Sequence, residues 1–235
     1  MVTQFFNLEG KNAIIVGMGN TIAKEVSLAL AEAGANIAAV CTIPNEKESK
    51  MASEIDKLVR DQGRAVIPIM EPPTSEEKIS AVVAKILEKF ESIDIFVNNL
   101  DLPFAKPIID STFQEWLQVI EVNLNQFFLW SKILGKVMTK QKKGRIISLT
   151  SHLAQRGMDN CSAYCAAKGG IIQMTRALAL EWAKSGVTVN AVSLGWIEGT
   201  HLTPGIDESA LPALIRYLPI RRTGTSNEVG GLVLY

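Results

Sequence analysis

What most restricts the fold of this chain is a repeated alternation of two kinds of segment. Short apolar runs at NAIIVG (12–17), NIAAVC (36–41), AVIPIM (65–70), IDIFVNN (93–99), 145–150 and VTVNAVS (187–193) are separated by longer amphipathic stretches. Runs of this length, with no polar face for water, read as buried strands. The segments 21–34, 45–63, 74–90, 111–140 and 162–184 carry apolar residues at helical spacing, and a last helix begins near Ser226. Gly34 and Gly63 stop the first two helices, and Thr74 followed by Glu77 is a capping-box start for the third.

Strand and helix in strict turn predict a parallel sheet, since a crossover helix returns the chain to the end where the previous strand began. Strands apolar on both sides belong in a sheet covered on both faces. The expected fold is α/β, a doubly wound parallel sheet in three α/β/α layers. No linker, repeat or low-complexity stretch interrupts it, so residues 1–235 read as a single domain.

Composition excludes several function classes. The 24 basic and 24 acidic residues cancel, so no charge excess is directed at nucleic acid or an anionic membrane. No apolar run reaches the about 18 residues of a membrane span, and MVTQFFNLEGK lacks the basic start and apolar block of a signal peptide. The two histidines, His152 and His201, and the three cysteines, Cys41, Cys161 and Cys165, fall at no metal-ligand spacing, so no metal site is expected. Cys161 and Cys165, one turn apart around Tyr164, read as small helix-packing residues in a reducing cytoplasm rather than as a redox pair.

In a doubly wound sheet the ligand crevice lies at the carboxyl ends of the strands. There the first strand runs into VGMGNTIAKEV. Gly17 and Gly19 would let backbone N–H groups approach a pyrophosphate at the helix N-terminus, with Asn20, Thr21 and Ile22 in the same turn. Thr21 would cap the helix or offer its hydroxyl to a phosphate. These residues alone also suit a purely structural turn; the strand before and the helix after favour a dinucleotide. At the end of the second strand an acidic residue would hold the adenosine ribose, and an arginine would hold a 2′-phosphate. Cys41 and Thr42 are neither. Thr42 can donate to a phosphate, and Lys24 and Lys47 are within reach, so NADP is expected ahead of NAD.

The segment CSAYCAAKGG (161–170) sets Tyr164 and Lys168 four residues apart, one helical turn. By itself the pair does not separate a surface helix from a catalytic one. GRIISLTS ends a strand on Ser151, 13 residues before Tyr164, and VIEVNLNQFF holds Asn123. With ALALEWAKSGVTVNAVSLGWIEGT and RRTGTSNEVGGLVLY, these segments make the chain resemble the short-chain dehydrogenase/reductase family over about residues 8–235. Within that family it is most similar to the β-ketoacyl-carrier-protein reductase-like subgroup.

The resemblance implies a Rossmann-like fold and an oxidoreductase that moves a hydride between NAD(P)(H) and a ketone or secondary alcohol, including 3-oxoacyl thioesters. It implies Asn123, Ser151, Tyr164 and Lys168 as catalytic residues. Asn98, Asn99, Tyr164, Lys168, Gly195 and Ile197 join the glycine turn and Thr42 as cofactor contacts. Tyr164 would pass a proton to or from the substrate oxygen, and Ser151 would hold that oxygen. Lys168 would lower the phenol pKa by its charge and bind the nicotinamide ribose. Asn123 would break its helix and hold a relay water. Substrate contacts are expected from Ser151, Leu153, Met158, Trp196 and Leu202. Lys142 and Lys143 read as a solvated turn, with a carrier-protein arm as the alternative. The resemblance also implies pairing of the helices around 111–140 and after Tyr164 with a second copy, giving a homodimer or homotetramer. A seventh strand is implied after the last helix, ahead of which the sequence given ends at Tyr235, so a sheet lacking it is expected.

The departures are equally definite. NNLD stands where the family has Asn-Asn-Ala-Gly, Leu194 replaces a proline, and Thr200 falls one residue late. Leu100 and Asp101 would crowd or repel a cofactor. Together with the first turn, where Thr21 and Ala23 stand in place of further glycines, and the expected lack of the seventh strand, they leave an alternative function, a cofactor-impaired scaffold or binding protein without turnover.

Overall fold

The structure, a computed structural model, describes residues 6–42, 45–200, 209 and 211–235. Six strands form one parallel sheet: β1 (Asn12–Val16), β2 (Asn36–Val40), β3 (Val66–Ile69), β4 (Ile95–Asn98), β5 (Gly144–Ser151) and β6 (Val187–Leu194), in the order β3-β2-β1-β4-β5-β6. The helices are α1 (Thr21–Glu32), α2 (Glu46–Asp61), α3 (Glu76–Phe90), α4 (Phe113–Ile120), α5 (Gln126–Gln141), α6 (Leu153–Arg156), α7 (Ser162–Trp182), α8 (Leu211–Tyr217) and α9 (Ser226–Leu234).

Each apolar strand divides its residues between two cores. Ala13, Ile15, Ile37 and Ala39 face a core closed by α1, α2 and α9, with Val26, Ile55 and Val229 among its members. Ile14, Val16, Ala38 and Val40 face the other, closed by α3, α5 and α7 through Val83, Trp130 and Ile171. Burial on both faces is why these strands carry no polar alternation. Strand order reverses between β1 and β4, and a doubly wound sheet opens its ligand crevice at that point.

Local signals place most boundaries. Gly34, at φ +114°, follows the α1 cap. The cap of α3 is Ser75, which accepts from the Lys78 N–H, one residue later than the Thr74–Glu77 pattern suggests. The Thr74 carbonyl instead accepts from Gln126 Nε2 at 3.3 Å. The long helix read over 111–140 is divided, and the interruption includes Asn123, where the resemblance implied a break. Thr112 and Glu115 form a capping box that opens α4. A π turn at Glu121–Asn125 then separates α4 from α5.

Two expectations about side chains change. Phe127, Trp130, Leu134 and Met138 of α5 are buried in the subunit's own core, leaving Phe128 about half exposed, so that face is narrower than its composition suggests. Lys143 pairs with Asp94 at 2.8 Å and tethers the α5–β5 turn to β4. The cysteines are free thiols, and burial pushes Cys41 up to about 11, with Glu48 adding to the shift.

Candidate active site

The β1–α1 turn is shaped by close backbone approach. Gly17 sits at φ +99°, and a Cβ there would lie 2.5 Å from the Asn99 carbonyl oxygen. Asn99 Nδ2 donates to Gly17 O at 2.7 Å and to Asn20 Oδ1 at 3.1 Å, tying the ends of β1 and β4 together. Asn20, not Thr21, caps α1, accepting from the Ala23 N–H. The Thr21 hydroxyl is 2.6 Å from Ser226 Oγ and joins α1 to α9. No acidic residue occupies the first turn of α1, so its positive end faces the crevice uncancelled. Asn98, expected beside a cofactor, is fully buried in the sheet and donates to Ser148 Oγ at 2.8 Å.

An acid does stand at the end of β2, contributed by the next helix. The Glu48 carboxylate accepts from both the Thr42 N–H and, at 2.9 Å, the Thr42 hydroxyl. Glu48 is buried, and a Cβ on Gly19 would lie 3.3 Å from its Oε1. This corrects the expectation for Thr42, whose hydroxyl is directed to Glu48. Lys24 is likewise paired, with Glu54 at 2.9 Å. Sequence reading missed Glu48 because the acid is sought on the strand itself. The signal was Asn45, whose side chain caps α2 through the Glu48 N–H and so turns this third helical residue back toward β2.

One cleft runs from Asn20 and Ile22 past Asn99 and Asp101 to Ser151, Tyr164 and Lys168. Tyr164 and Lys168 rise from the first turns of α7, and both are buried. The Tyr164 hydroxyl donates to Asp101 Oδ1 at 2.7 Å. Lys168 Nζ reaches the same oxygen at 2.9 Å and donates to the Leu100 carbonyl at 2.8 Å. Burial, then the Asp101 charge and hydrogen bond, push the Tyr164 phenol up, while the Ser151 hydroxyl pulls it the other way. The lowering of the phenol pKa expected from Lys168 is thus not what the site produces: burial first, and then the Asp101 charge and hydrogen bond, raise it. Asp101 does not merely crowd the cleft; it bonds to both members of the Tyr–Lys pair.

Asn123 sits fully buried in the π turn. Its Oδ1 accepts from Leu102 N, and its Nδ2 donates to the Leu102 and Val119 carbonyls, each at 3.0 Å. The carboxamide expected to hold a water fastens the segment after β4 to the helix.

The opposite wall comes from the end of β6. Gly195, Trp196 and Ile197 line the cleft, with His152 and Thr200. The His152 and Trp196 rings meet edge-to-face at 5.0 Å. Leu153, buried at the start of α6, and Met158, beyond that helix, do not line the cleft with Ser151 and Trp196. Leu202 lies outside the described residues. Among the described residues no group of acids, histidines and cysteines could hold a metal, and no helix is long and apolar enough to cross a membrane.

These residues fit a dinucleotide: an acid-free helix end at one side of the cleft, glycine backbone between, and an ammonium with three donors at the other. Residues 17–235 match the family model described as enoyl-(acyl carrier protein) reductase. The chain belongs to the short-chain dehydrogenase/reductase family. It is 31% identical to 2-dehydro-3-deoxy-D-gluconate 5-dehydrogenase of Bacillus subtilis (strain 168), over 98% of this chain and 88% of the relative. It is 33% identical to the 3-oxoacyl-[acyl-carrier-protein] reductase FabG of Vibrio cholerae serotype O1, over 97% and 90%. The crystal structure of NAD+-bound xylitol dehydrogenase superimposes with a TM-score of 0.87 at 27% identity, covering 96% of this chain and 91% of that one. As a short-chain dehydrogenase/reductase, the protein is an NAD(P)-dependent oxidoreductase acting on an alcohol or its ketone.

Proposed function

We propose that this protein interconverts a secondary alcohol and a ketone with NAD(H) in preference to NADP(H). The observation that carries the reading is the convergence of Ser151, Tyr164 and Lys168 at one end of the cleft that begins at the α1 N-terminus. The nicotinamide supplies or accepts the hydride. Ser151 and Tyr164 hold the substrate oxygen, and Tyr164 exchanges a proton with it. Lys168 fixes the Tyr164 ring, with Nζ 5.5 Å from the ring centroid, and keeps a donor for the nicotinamide ribose. Asn123 positions the 100–102 backbone. Gly17, Gly19, Asn20, Asn99, Gly195 and Ile197 line the path of the dinucleotide.

The cofactor preference reverses the expectation from Thr42. A buried carboxylate at the end of β2 can accept from ribose hydroxyls, whereas it repels a 2′-phosphate. On the substrate side, Asp101 is bonded to the Tyr164 hydroxyl, so a second negative charge next to the reacting carbon would be repelled. The reacting segment is therefore an uncharged ketone or carbinol; a 3-oxoacyl thioester satisfies this, as does a polyol. Leu100 and Asp101 are part of the case for the scaffold alternative. Leu100 is packed in the core and Asp101 is bonded within the site, so neither fills the glycine turn where the pyrophosphate would lie.

The test is a fluorescence titration with NADH and NADPH, followed by assays with 3-oxoacyl thioesters and with polyols. Tighter binding of NADH and turnover of one of these classes are expected. Binding of neither cofactor would leave the scaffold reading.

A further inference from the structure

Lys168 in this chain is not alone with the phenol. Asp101 Oδ1 receives two donors, the Tyr164 hydroxyl at 2.7 Å and Lys168 Nζ at 2.9 Å. The Tyr164 side is buried, whereas the Asp101 side chain is about a third exposed, so the chain of contacts leads from the cleft floor to solvent. The titratable groups facing this carboxylate are Tyr164 and Lys168 from α7, with His152 lining the same cleft. The carboxylate is held in place. Asn123 pins Leu102, the next residue, in both directions, and the Leu100 carbonyl on the other side accepts from Lys168.

We propose that Asp101 is a catalytic proton-relay residue, the terminal base and acid of this site, with Tyr164 acting as a neutral bridge rather than as a phenolate. The inference rests on the dehydrogenase reading above. In oxidation the substrate hydroxyl donates to the Tyr164 oxygen while the Tyr164 proton moves to Asp101 Oδ1. Two O–H bonds break and two form, the hydride goes to the nicotinamide cofactor of the established activity, and the products are ketone and a protonated Asp101. Solvent then takes the proton from Asp101. In reduction the same shifts run backwards, and Asp101 reprotonates Tyr164 as Tyr164 protonates the carbonyl oxygen.

The physical case is one of matching. A phenol raised by burial and by a neighbouring carboxylate is a poor resting base. A phenol that gives up one proton as it accepts another never has to carry the charge. The alcohol proton becomes strongly acidic only as the hydride leaves, and a carboxylate one bond further on then takes it. Lys168, 2.9 Å away, holds that carboxylate in position between turnovers.

Two measurements test this. In cofactor-free protein, phenolate absorbance follows tyrosine ionisation with pH. Tyr217 and Tyr235 are exposed, and Tyr164→Phe identifies the signal of the buried third tyrosine. Asp101→Asn should move the Tyr164 signal to lower pH, because it removes the negative charge and leaves Lys168. In the loaded enzyme, Asp101→Gly should lower kcat for alcohol oxidation by about a hundredfold, and formate, but not chloride, should restore part of it. An unmoved Tyr164 signal would overturn the relay, and so would an Asp101→Gly enzyme as fast as or faster than wild type. Failure of the dehydrogenase reading looks different, as loss of nicotinamide binding in the wild type itself.

Discussion

Asn123 and Leu102 bind each other in both directions: the carboxamide oxygen accepts the Leu102 N–H, and the carboxamide nitrogen donates to the Leu102 carbonyl, each at 3.0 Å. A third bond, to Val119 O, uses the carbonyl of the residue four earlier, where the π turn has loosened the helical ladder. The segment that carries Asp101 is thus fixed by a buried side chain of the π turn.

Asn123→Ala would strip both backbone groups of Leu102 of their partner. Leaving them unsatisfied costs about 2 kcal/mol, and Asp101 would lose its fixed distance to Tyr164. A lower urea midpoint together with a fall in kcat is expected, read by chemical denaturation and steady-state kinetics. A variant with wild-type kcat would separate this clamp from the chemistry.

Glu48→Gln keeps an acceptor for Thr42 and removes the charge. The ratio of NADPH to NADH dissociation constants should narrow by about tenfold, or roughly 1.4 kcal/mol, measured by nicotinamide fluorescence. If the ratio does not move, Glu48 serves only to fasten Thr42 to α2.

The contrast between Glu48 and Tyr164 shows what a sequence makes visible. Tyr164 and Lys168 act together through one turn of one helix, so their spacing alone places them on a shared face. The strands were legible for a similar reason, since burial on both faces leaves an apolar run with no competing pattern. Glu48 acts through a contact between α2 and the end of β2, and periodicity records no such contact. The π turn was hidden from periodicity likewise, and only the family resemblance pointed to a break at Asn123. Its cause is the pairing of Asn123 with Leu102, while apolar spacing over 111–140 reads as one continuous helix. Asp101 was visible as a departure from glycine, but its meaning was not. A charge at that position repels a ligand or bonds to Tyr164 and Lys168 depending on where its carboxylate points, and only coordinates decide that.

Tyr164→Phe removes the bridging hydroxyl and almost no binding surface. Turnover should be abolished while the NADH dissociation constant stays near wild type. A loss in kcat of less than about tenfold would remove Tyr164 from the proton path. Lys168→Met should cost both rate and cofactor affinity, because the same ammonium holds Asp101 and is proposed to donate to the nicotinamide ribose; an unchanged KM for NADH would take away the second role.

The last helix gives a pH prediction. Glu228 receives Arg222 and the Thr225 N–H, which hold its carboxyl down to about 2 from 4.5. A lowered carboxyl contributes stability above its unfolded pKa and loses it as pH falls through the folded one. Between about pH 4.5 and 2, wild-type protein should therefore lose melting temperature faster than Glu228→Gln. The effect is small because both partners are largely solvated. It bears on the site because α9 braces the glycine turn through Ser226 and Thr21. Parallel melting curves for the two proteins would show that the pair contributes nothing measurable.

Assembly follows from what α5 and α7 leave uncovered. Most of the α5 apolar face is consumed by the subunit's own core, so the remaining surface is specific: Phe128 is 49% exposed and Leu180 of α7 is 83% exposed. Both helices cover the same face of the sheet. Large apolar side chains left in water on neighbouring helices are the material of a two-fold contact, in which each copy presents the same patch to the other. A homodimer through α5 and α7 is expected by light scattering at micromolar concentration. Phe128→Asp combined with Leu180→Asp should give a folded monomer, because neither side chain belongs to the buried core and the charges oppose their copies across the axis. A wild-type chain that is already monomeric would mean that two exposed side chains do not suffice, and that α5 and α7 are complete within one subunit.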